Sequence, residues 1–460
     1  MSLKRGFRVE KGEIYQNFVS RILIGKERFE GIHCINKGDI SESNGVKTIT
    51  FQITENCNLQ CTYCYQINKS KEKMDFQKAK DFIDYIIQSS YDENSPLSIS
   101  KTPGIVMEFI GGEPLLEIEL IDQITDYFRT RLIAERHPWA PFIVSSMISN
   151  GIKYMDDSVQ DYLKKNDKLV SFGVSLDGNK ALHDMCRVFP DGTGSYDIAV
   201  EACKYHIKHY DENMLTKMTL APENIMHTFE AIKNLFSLGY KYVHGNCVYE
   251  DVWDKDKHPI ILYEQLKKLA DYLFENDLHD EVGTSLFDEG HFREYGENDD
   301  KNYCGSSCCM LAINNDGEIY PCIRLMHSSL GDDIPAYSIG TLKDGLGVCG
   351  PQKERFNELY SITRTSQSTD KCINCKIATG CGWCTGYNYQ CTGSVNKRVV
   401  TICEMHQARA LANVYFWNKY YKITNEDSVF PMNIPKEWAL EIIDEEEYNM
   451  LLELTKPKDA

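Results

Sequence analysis

The chain has 460 residues, 42% of them hydrophobic and 11% aromatic, so it carries the apolar material for a large folded core and is not a disordered polymer. Its formal net charge of −18 argues against a nucleic-acid partner, because phosphate binding needs basic patches that this sequence does not supply. A polymeric partner for such a chain is a peptide. No apolar run reaches about 18 residues and the start, Met1 to Phe7, lacks a signal-peptide core, which predicts a cytoplasmic protein with no membrane partner. In that setting eighteen cysteines indicate metal binding rather than disulfides.

Residues 1–46 carry short alternating runs, Ile14 to Val19 and Ser20 to Ile24, that predict one or two strands in a small N-terminal extension. Lys47-Thr48-Ile49-Thr50-Phe51-Gln52-Ile53 predicts a clearer strand, and it delivers a loop with Cys57, Cys61 and Cys64 in the spacing Cys-x3-Cys-x2-Cys. Three thiolates on one short loop hold three irons of a 4Fe-4S cube and leave the fourth without a protein ligand. An open iron suits a cluster that must grip a small molecule.

Helix and strand then alternate. Helices are predicted near 75–90, 117–134, 157–165, 196–210, 224–238 and 261–277, and strands near 104–110, 141–148, 169–175, 214–221 and 240–248. Such alternation calls for an α/β fold with a parallel sheet and helices outside. With the first strand, six units make a partial (β/α)6 barrel of the TIM type over residues 47–285, with functional loops at the carboxyl ends of the strands. Residues 286–303, with the acidic run Glu297-Asn298-Asp299-Asp300, form a bridging segment. A loop-rich, cysteine-dense domain is expected over 304–405, including a loop over 345–370, and helices over 406–460, one aromatic (411–422) and one acidic and amphipathic (435–455).

Three further loops fall at predicted strand ends. Gly111-Gly112-Glu113-Pro114 is either a tight turn or a backbone cradle for a ligand, with Glu113 a ligand contact or a helix cap. Ser149-Asn150-Gly151 and Ser175-Leu176-Asp177-Gly178 offer short polar groups that bind a ligand or shape turns. In the second cysteine region, Cys304 and Cys322 precede Cys372-x2-Cys375-x5-Cys381-x2-Cys384, with Cys391 and Cys403 beyond. Spacing alone leaves zinc and iron–sulfur open and leans to zinc; the three-cysteine loop upstream turns the reading to iron–sulfur.

The Cys-x3-Cys-x2-Cys loop, with Tyr63 before its last cysteine and Gly111-Gly112-Glu113-Pro114 one unit later, resembles the signature of radical S-adenosylmethionine (radical SAM) enzymes. The resemblance implies that S-adenosylmethionine chelates the open iron, and that its one-electron cleavage yields a 5′-deoxyadenosyl radical. It also implies a cofactor site of Tyr63, with Gly111, Gly112 and Glu113 at the methionyl amine, Asn150 and Ser175 as further contacts, Arg187 on the methionyl carboxylate and Val248 on adenine. Residues 304–405 resemble the SPASM extension, which implies two auxiliary 4Fe-4S clusters and three in all. By the family's interleaved connectivity, Cys304, Cys322 and Cys384 hold the nearer one, with Cys308 or Cys309 as fourth ligand or an open iron, while Cys372, Cys375, Cys381 and Cys403 hold the farther one. Cys381-x2-Cys384 is one residue shorter than the family's Cys-x3-Cys.

The run Gly380 to Tyr389, followed by Cys403-Glu404-Met405-His406, looks closest to peptide maturases acting on cysteine-repeat precursors. That implies a ribosomally made precursor peptide as substrate, thioether crosslinking as reaction, and a low-potential electron donor of the flavodoxin or ferredoxin type. The alternatives are an anaerobic maturase that makes formylglycine in a sulfatase, a carbon–carbon or carbon–oxygen crosslinker, and a non-catalytic iron–sulfur protein. Residues 1–46 are too short for the winged-helix leader-binding module of many such maturases.

Overall fold

The computed structural model describes residues 46–456 except 168, 212, 297–299 and 301, so the strands expected before residue 46 lie outside the described residues. Six strands form the frame: β1 (Lys47–Thr54), β2 (Ile105–Gly111), β3 (Ile143–Ser149), β4 (Val170–Val174), β5 (Leu215–Leu220) and β6 (Tyr242–Cys247). They pair in sequence order and in parallel. A two-residue strand, β7 (Gly283–Thr284), adds to β6. On the other side, β8 (Met310–Ile313) pairs in parallel with β1, and β9 (Glu318–Tyr320), β10 (Gly340–Thr341) and β11 (Gly345–Leu346) follow in antiparallel. The result is one eleven-stranded sheet that begins at β11 and ends at β7, an α/β partial barrel.

The strands are parallel, yet several alternate between apolar and polar residues, where fully buried parallel strands read as continuous apolar runs. In β1, Ile49, Phe51 and Ile53 are completely buried. Phe51 meets Phe82 of the helix Phe76–Ser89 edge-on at 5.7 Å and Phe109 of β2 at the same distance. The opposite face is polar. Thr50 is in register with Glu108, Glu108 with Ser146, and Ser146 with Ser171, giving one polar row across four strands. Closed eight-unit barrels fill this interior with branched apolar side chains. Here the lumen is lined for polar contents.

The six strand–helix units lie close to their predicted positions, because each helix buries one apolar stripe on the outer face of the sheet. Three expectations needed correction. The aromatic helix runs from Cys403 to Thr424, starting eight residues before the predicted 411, and it packs on the helix His258–Glu275 through Phe416 stacked on Phe274 at 5.1 Å. The 435–455 helix is two, Lys436–Ala439 and Glu445–Leu454, broken where Ile442 and Ile443 turn inward and Asp444 caps the second by accepting from Glu447 N at 2.8 Å. Part of the 345–370 loop is a helix, Gly350–Tyr360, started by Pro351; its polar sequence gives little periodic signal. Deleting the Phe51 ring, as Phe51→Ala, is expected to cost about 3–5 kcal/mol, seen as a lower unfolding midpoint in denaturant.

Candidate active site

The first cysteine loop leaves β1 and is fixed through its backbone. Gln60 N donates to Val188 O at 2.7 Å and Thr62 N to Cys186 O at 3.0 Å. The thiols of Cys57, Cys61 and Cys64 are half-buried, and Lys69 lies within electrostatic reach of all three. Gly112 N donates to Thr54 O and Glu113 N to Asn56 O, both at 2.9 Å. A Cβ on Gly111 would stand 2.1 Å from Thr54 O, and one on Gly112 2.1 Å from Asn56 O. The two glycines are therefore required by the close approach of β2 to the cysteine loop, and the N–H groups of Gly112 and Glu113 are taken by that contact.

Glu113 is buried and acts as a clamp. Its carboxylate accepts from Leu115 N at 3.0 Å, which caps the following turn, from Ser149 Oγ at 2.7 Å and from Asn150 N at 2.8 Å. Burial pushes its pKa up, and these donors oppose the shift. Asn150 in turn gives its side-chain amide to Asn58 Oδ1 at 2.7 Å and lies 3.9 Å from Cys57 Sγ. Ser175 is half-buried at the end of β4, its N–H donating to Ser149 O at 2.8 Å. Val248 is buried after β6, its N–H donating to Leu220 O and its carbonyl accepting from Trp253 Nε1, both at 3.0 Å.

Arg187 is buried, and its Nε donates to Asp177 Oδ2 at 2.9 Å while its guanidinium lies 5.4 Å from the Tyr63 ring centre. The Tyr63 hydroxyl donates to the same carboxylate oxygen, and Thr219 N to the other at 3.1 Å. Asp177 thus ties the cysteine loop, β5 and Arg187 together. Sequence reasoning read the Ser175-Leu176-Asp177-Gly178 loop for its serine and passed over the acid; the signal was that a buried arginine needs a carboxylate.

In the second cysteine region, Cys304 and Cys384 lie within electrostatic reach of Cys322, with Tyr249 and Arg324 beside them. The thiols of Cys308 and Cys309 face each other at 2.7 Å, next to Lys47. Cys372, Cys375, Cys381 and Cys403 line a single cavity of about 190 Å³, where Arg398 Nη2 lies 2.6 Å from Cys381 Sγ. Burial pushes up the thiols of Cys57, Cys61, Cys322, Cys375, Cys384 and Cys403. Cys391 and Cys349 are exposed, Cys203 and Cys247 are buried, and Cys186 is buried beside the first loop, its carbonyl accepting from Thr62 N.

A model of the 4Fe-4S single cluster domain matches residues 42–183. The chain is 25% identical over 348 residues to a cysteine-type anaerobic sulfatase-maturating enzyme of Clostridium novyi, covering 72% of this chain and 83% of that protein. It is 22% identical over 449 residues to the radical SAM cyclopropyl synthase TigE of Paramaledivibacter caminithermalis, covering 92% and 83%. Its structure is similar to that of anSMEcpe with bound AdoMet, with a TM-score of 0.59 at 18% identity over 82% of this chain and 99% of that one. It is similar also to Streptococcus suis SuiB bound to precursor peptide SuiA, with a TM-score of 0.50 at 15% identity over 77% and 75%. The fold is that of a radical SAM enzyme with a SPASM-type extension.

In this radical SAM fold the two cysteine regions are joined by Tyr65, directly after the first loop. Arg324 covers its ring at 4.6 Å, and both Cys64 and Cys322 lie within its electrostatic reach. Arg324 also donates to Glu250 Oε1 at 2.7 Å. Among the described residues no helix is long and apolar enough to cross a membrane.

Two outcomes follow from the Asp177 cluster and the glycine pair. Gly112→Ala is expected to displace the loop from β2, lowering the thermal midpoint and the iron content after reconstitution together. His183, which packs beneath Asp177, has its pKa pushed down to about 4 from 6.5 by burial and by Arg187. The stability it contributes is present above pH 6.5 and is lost as pH falls toward 4, by up to about 1.4 kcal/mol per pH unit. Unfolding free energies measured across that window should show the slope, and His183→Asn should flatten it.

Proposed function

We propose that this chain is a radical SAM peptide maturase that installs thioether crosslinks, cysteine sulfur to carbon, in a ribosomally made precursor peptide. The observation that carries the reading is a polar lumen flanked by a three-thiol loop on one side and a second thiol group, Cys304, Cys322 and Cys384, on the other, with Tyr65 and Arg324 between them. The likeness to SuiB, whose structure has a bound precursor peptide, supports a peptide as substrate.

Thiolate sulfur is the donor that iron–sulfur clusters take, and both cysteine regions supply it. Cys57, Cys61 and Cys64 would hold three irons of the SAM-binding cluster, with the clamp of Glu113 and Asn150 beside Cys57. Cys372, Cys375, Cys381 and Cys403, which line one cavity, would hold the farther auxiliary cluster. When bound, the reduced cluster and S-adenosylmethionine supply a 5′-deoxyadenosyl radical able to take hydrogen from unactivated carbon. Asp177 holds Arg187 and Tyr63 rigidly at the loop, which keeps the guanidinium aimed for a carboxylate. Joining a peptide thiolate to a carbon radical releases one electron, and the Cys304–Cys322–Cys384 group, which meets the first loop at Tyr65, would hold its acceptor.

A second reading, oxidation of a cysteine to formylglycine, is favoured by the 25% identity to the Clostridium novyi sulfatase-maturating enzyme. Product mass separates the two. The reconstituted enzyme, given S-adenosylmethionine, a low-potential reductant and a cysteine-repeat precursor peptide, is expected to remove two hydrogens per crosslink and retain sulfur. Loss of sulfur would favour the formylglycine reading, and an unchanged mass would sink both. Cys375→Ala and Cys403→Ala are expected to lower bound iron and sulfide while 5′-deoxyadenosine still forms; Cys57→Ala, Cys61→Ala and Cys64→Ala are expected to abolish it.

A further inference from the structure

The lumen holds an acid and a base that neither cysteine region requires. Glu108 stands at mid-strand on β2, in register with Thr50 and Ser146, and accepts from Thr50 Oγ1 at 2.6 Å. Lys217 stands on β5, in register with His244, within electrostatic reach of Glu108 and also of Arg187 and Arg324. Its side chain is accessible to water yet surrounded by protein, which describes a group facing an internal chamber.

The neighbouring cations are paired, Arg187 with Asp177 at 2.9 Å and Arg324 with Glu250 at 2.7 Å. Lys217 makes no hydrogen bond or ion pair to another of the described residues. An ammonium in a chamber without a direct protein partner is left with water or an incoming anion as its partner, where closed barrels place apolar side chains. The burial that lowers the Lys217 pKa also raises that of Glu108, so each is held away from its ordinary value by the same chamber. Perturbed groups of opposite sign, facing one cavity and unused by the fold, are a site for something that enters it.

Resting on the reading of a thiol-bearing peptide substrate, we propose that Glu108 and Lys217 are the proton-handling pair of the chamber: the Glu108 carboxylate accepts the proton of the reacting peptide thiol, and the Lys217 ammonium holds the resulting thiolate. The S–H bond breaks with its electron pair left on sulfur, and an O–H bond forms on Glu108, so no oxidant enters this step. A peptide thiol ordinarily ionises near pH 8.5, and a fixed ammonium favours its anion. A carboxylate with a raised pKa is the better matched acceptor.

Two measurements on the anaerobic, reconstituted holoenzyme test the pair. In the first, the crosslinked product formed per 5′-deoxyadenosine is compared for wild type, Glu108→Gln, Lys217→Met and Lys217→Arg with a cysteine-repeat precursor peptide. The ratio is expected to fall ~10²-fold or more in Glu108→Gln and Lys217→Met and to recover in part in Lys217→Arg. A wild-type ratio in both, or product and 5′-deoxyadenosine falling in proportion as a structural defect would make them, overturns the proposal. The second needs no peptide. Reductive methylation with formaldehyde and cyanoborohydride, mapped by mass spectrometry, is expected to modify Lys217 ahead of exposed Lys241, and faster still in Glu108→Gln. An unmodified Lys217 overturns the pair whatever the substrate. An unchanged precursor mass with wild type overturns the thioether reading instead, and the labelling then still decides whether Lys217 faces an open chamber beside Glu108.

Discussion

The rest of the structure depends on the pairing of β1 along both of its edges. On one side it is in parallel register with β2 from Lys47 opposite Ile105, and on the other with β8 from Thr48 opposite Met310. Three contacts extend the second junction: Thr48 N donates to Cys309 O at 2.8 Å, Lys47 Nζ to Cys308 O, and Gln52 Nε2 to Ser328 Oγ at 2.8 Å. The strand that delivers the first cysteine loop is thus bonded to the segment that carries Cys304, Cys308, Cys309 and Cys322. The separation of the thiol groups is set by a hydrogen-bond ladder, which is stiff, rather than by a linker. For chemistry that passes an electron between two sites, a fixed separation is the property that the fold must supply.

The alternation within β1 has a second consequence. Its apolar face, Ile49, Phe51 and Ile53, is matched by the outer helices, so the sheet is held from one side only. The inner face is released from packing duty and presents Thr50, Glu108, Ser146 and Ser171 in one row. An open barrel tolerates this because polar groups that remain accessible to water pay little desolvation penalty, whereas in a closed, filled barrel each would need an internal partner. The gap between β7 and β11 and the polarity of the lumen are two aspects of one solution.

How far the sequence could be read follows from the range of the interactions involved. The strand of Lys47 to Ile53 and the helices over 76–89 and 157–165 were legible because their patterns are local, period two or 3.6, and repeated over several turns or pleats. The strands β8 to β11 were not, since they have two to four residues each and exist only because β1, far away in the sequence, offers an edge. The three-thiol loop was legible from spacing. Asp177 was not, because its partners Tyr63, Arg187 and Thr219 converge from three separate stretches of chain. The same holds for Glu108 and Lys217, which lie on β2 and β5 and meet only across the lumen.

Charge is distributed between exterior and interior in opposite senses. The chain carries a formal net charge of −18, yet the groups facing its thiols are cations: Arg187 near Cys61, Arg324 near Cys384, and Arg398 against Cys381. Thiolates gathered in a low dielectric repel one another strongly, and a buried thiol otherwise stays protonated. A guanidinium cannot lose its proton, so it offsets that repulsion at any pH the protein meets. Arg398 is seated on Trp383 at 4.1 Å and Arg324 on Tyr65 at 4.6 Å, contacts that hold the cation without neutralising it. Arg187 and Arg324 also have carboxylate partners, which keeps their charges balanced when the thiols are protonated. Lysines join them at two places, Lys69 at the first loop and Lys47 at Cys308 and Cys309. Lys217 differs from all of these in facing the lumen rather than a thiol cluster, which leaves its charge for an anion that comes and goes.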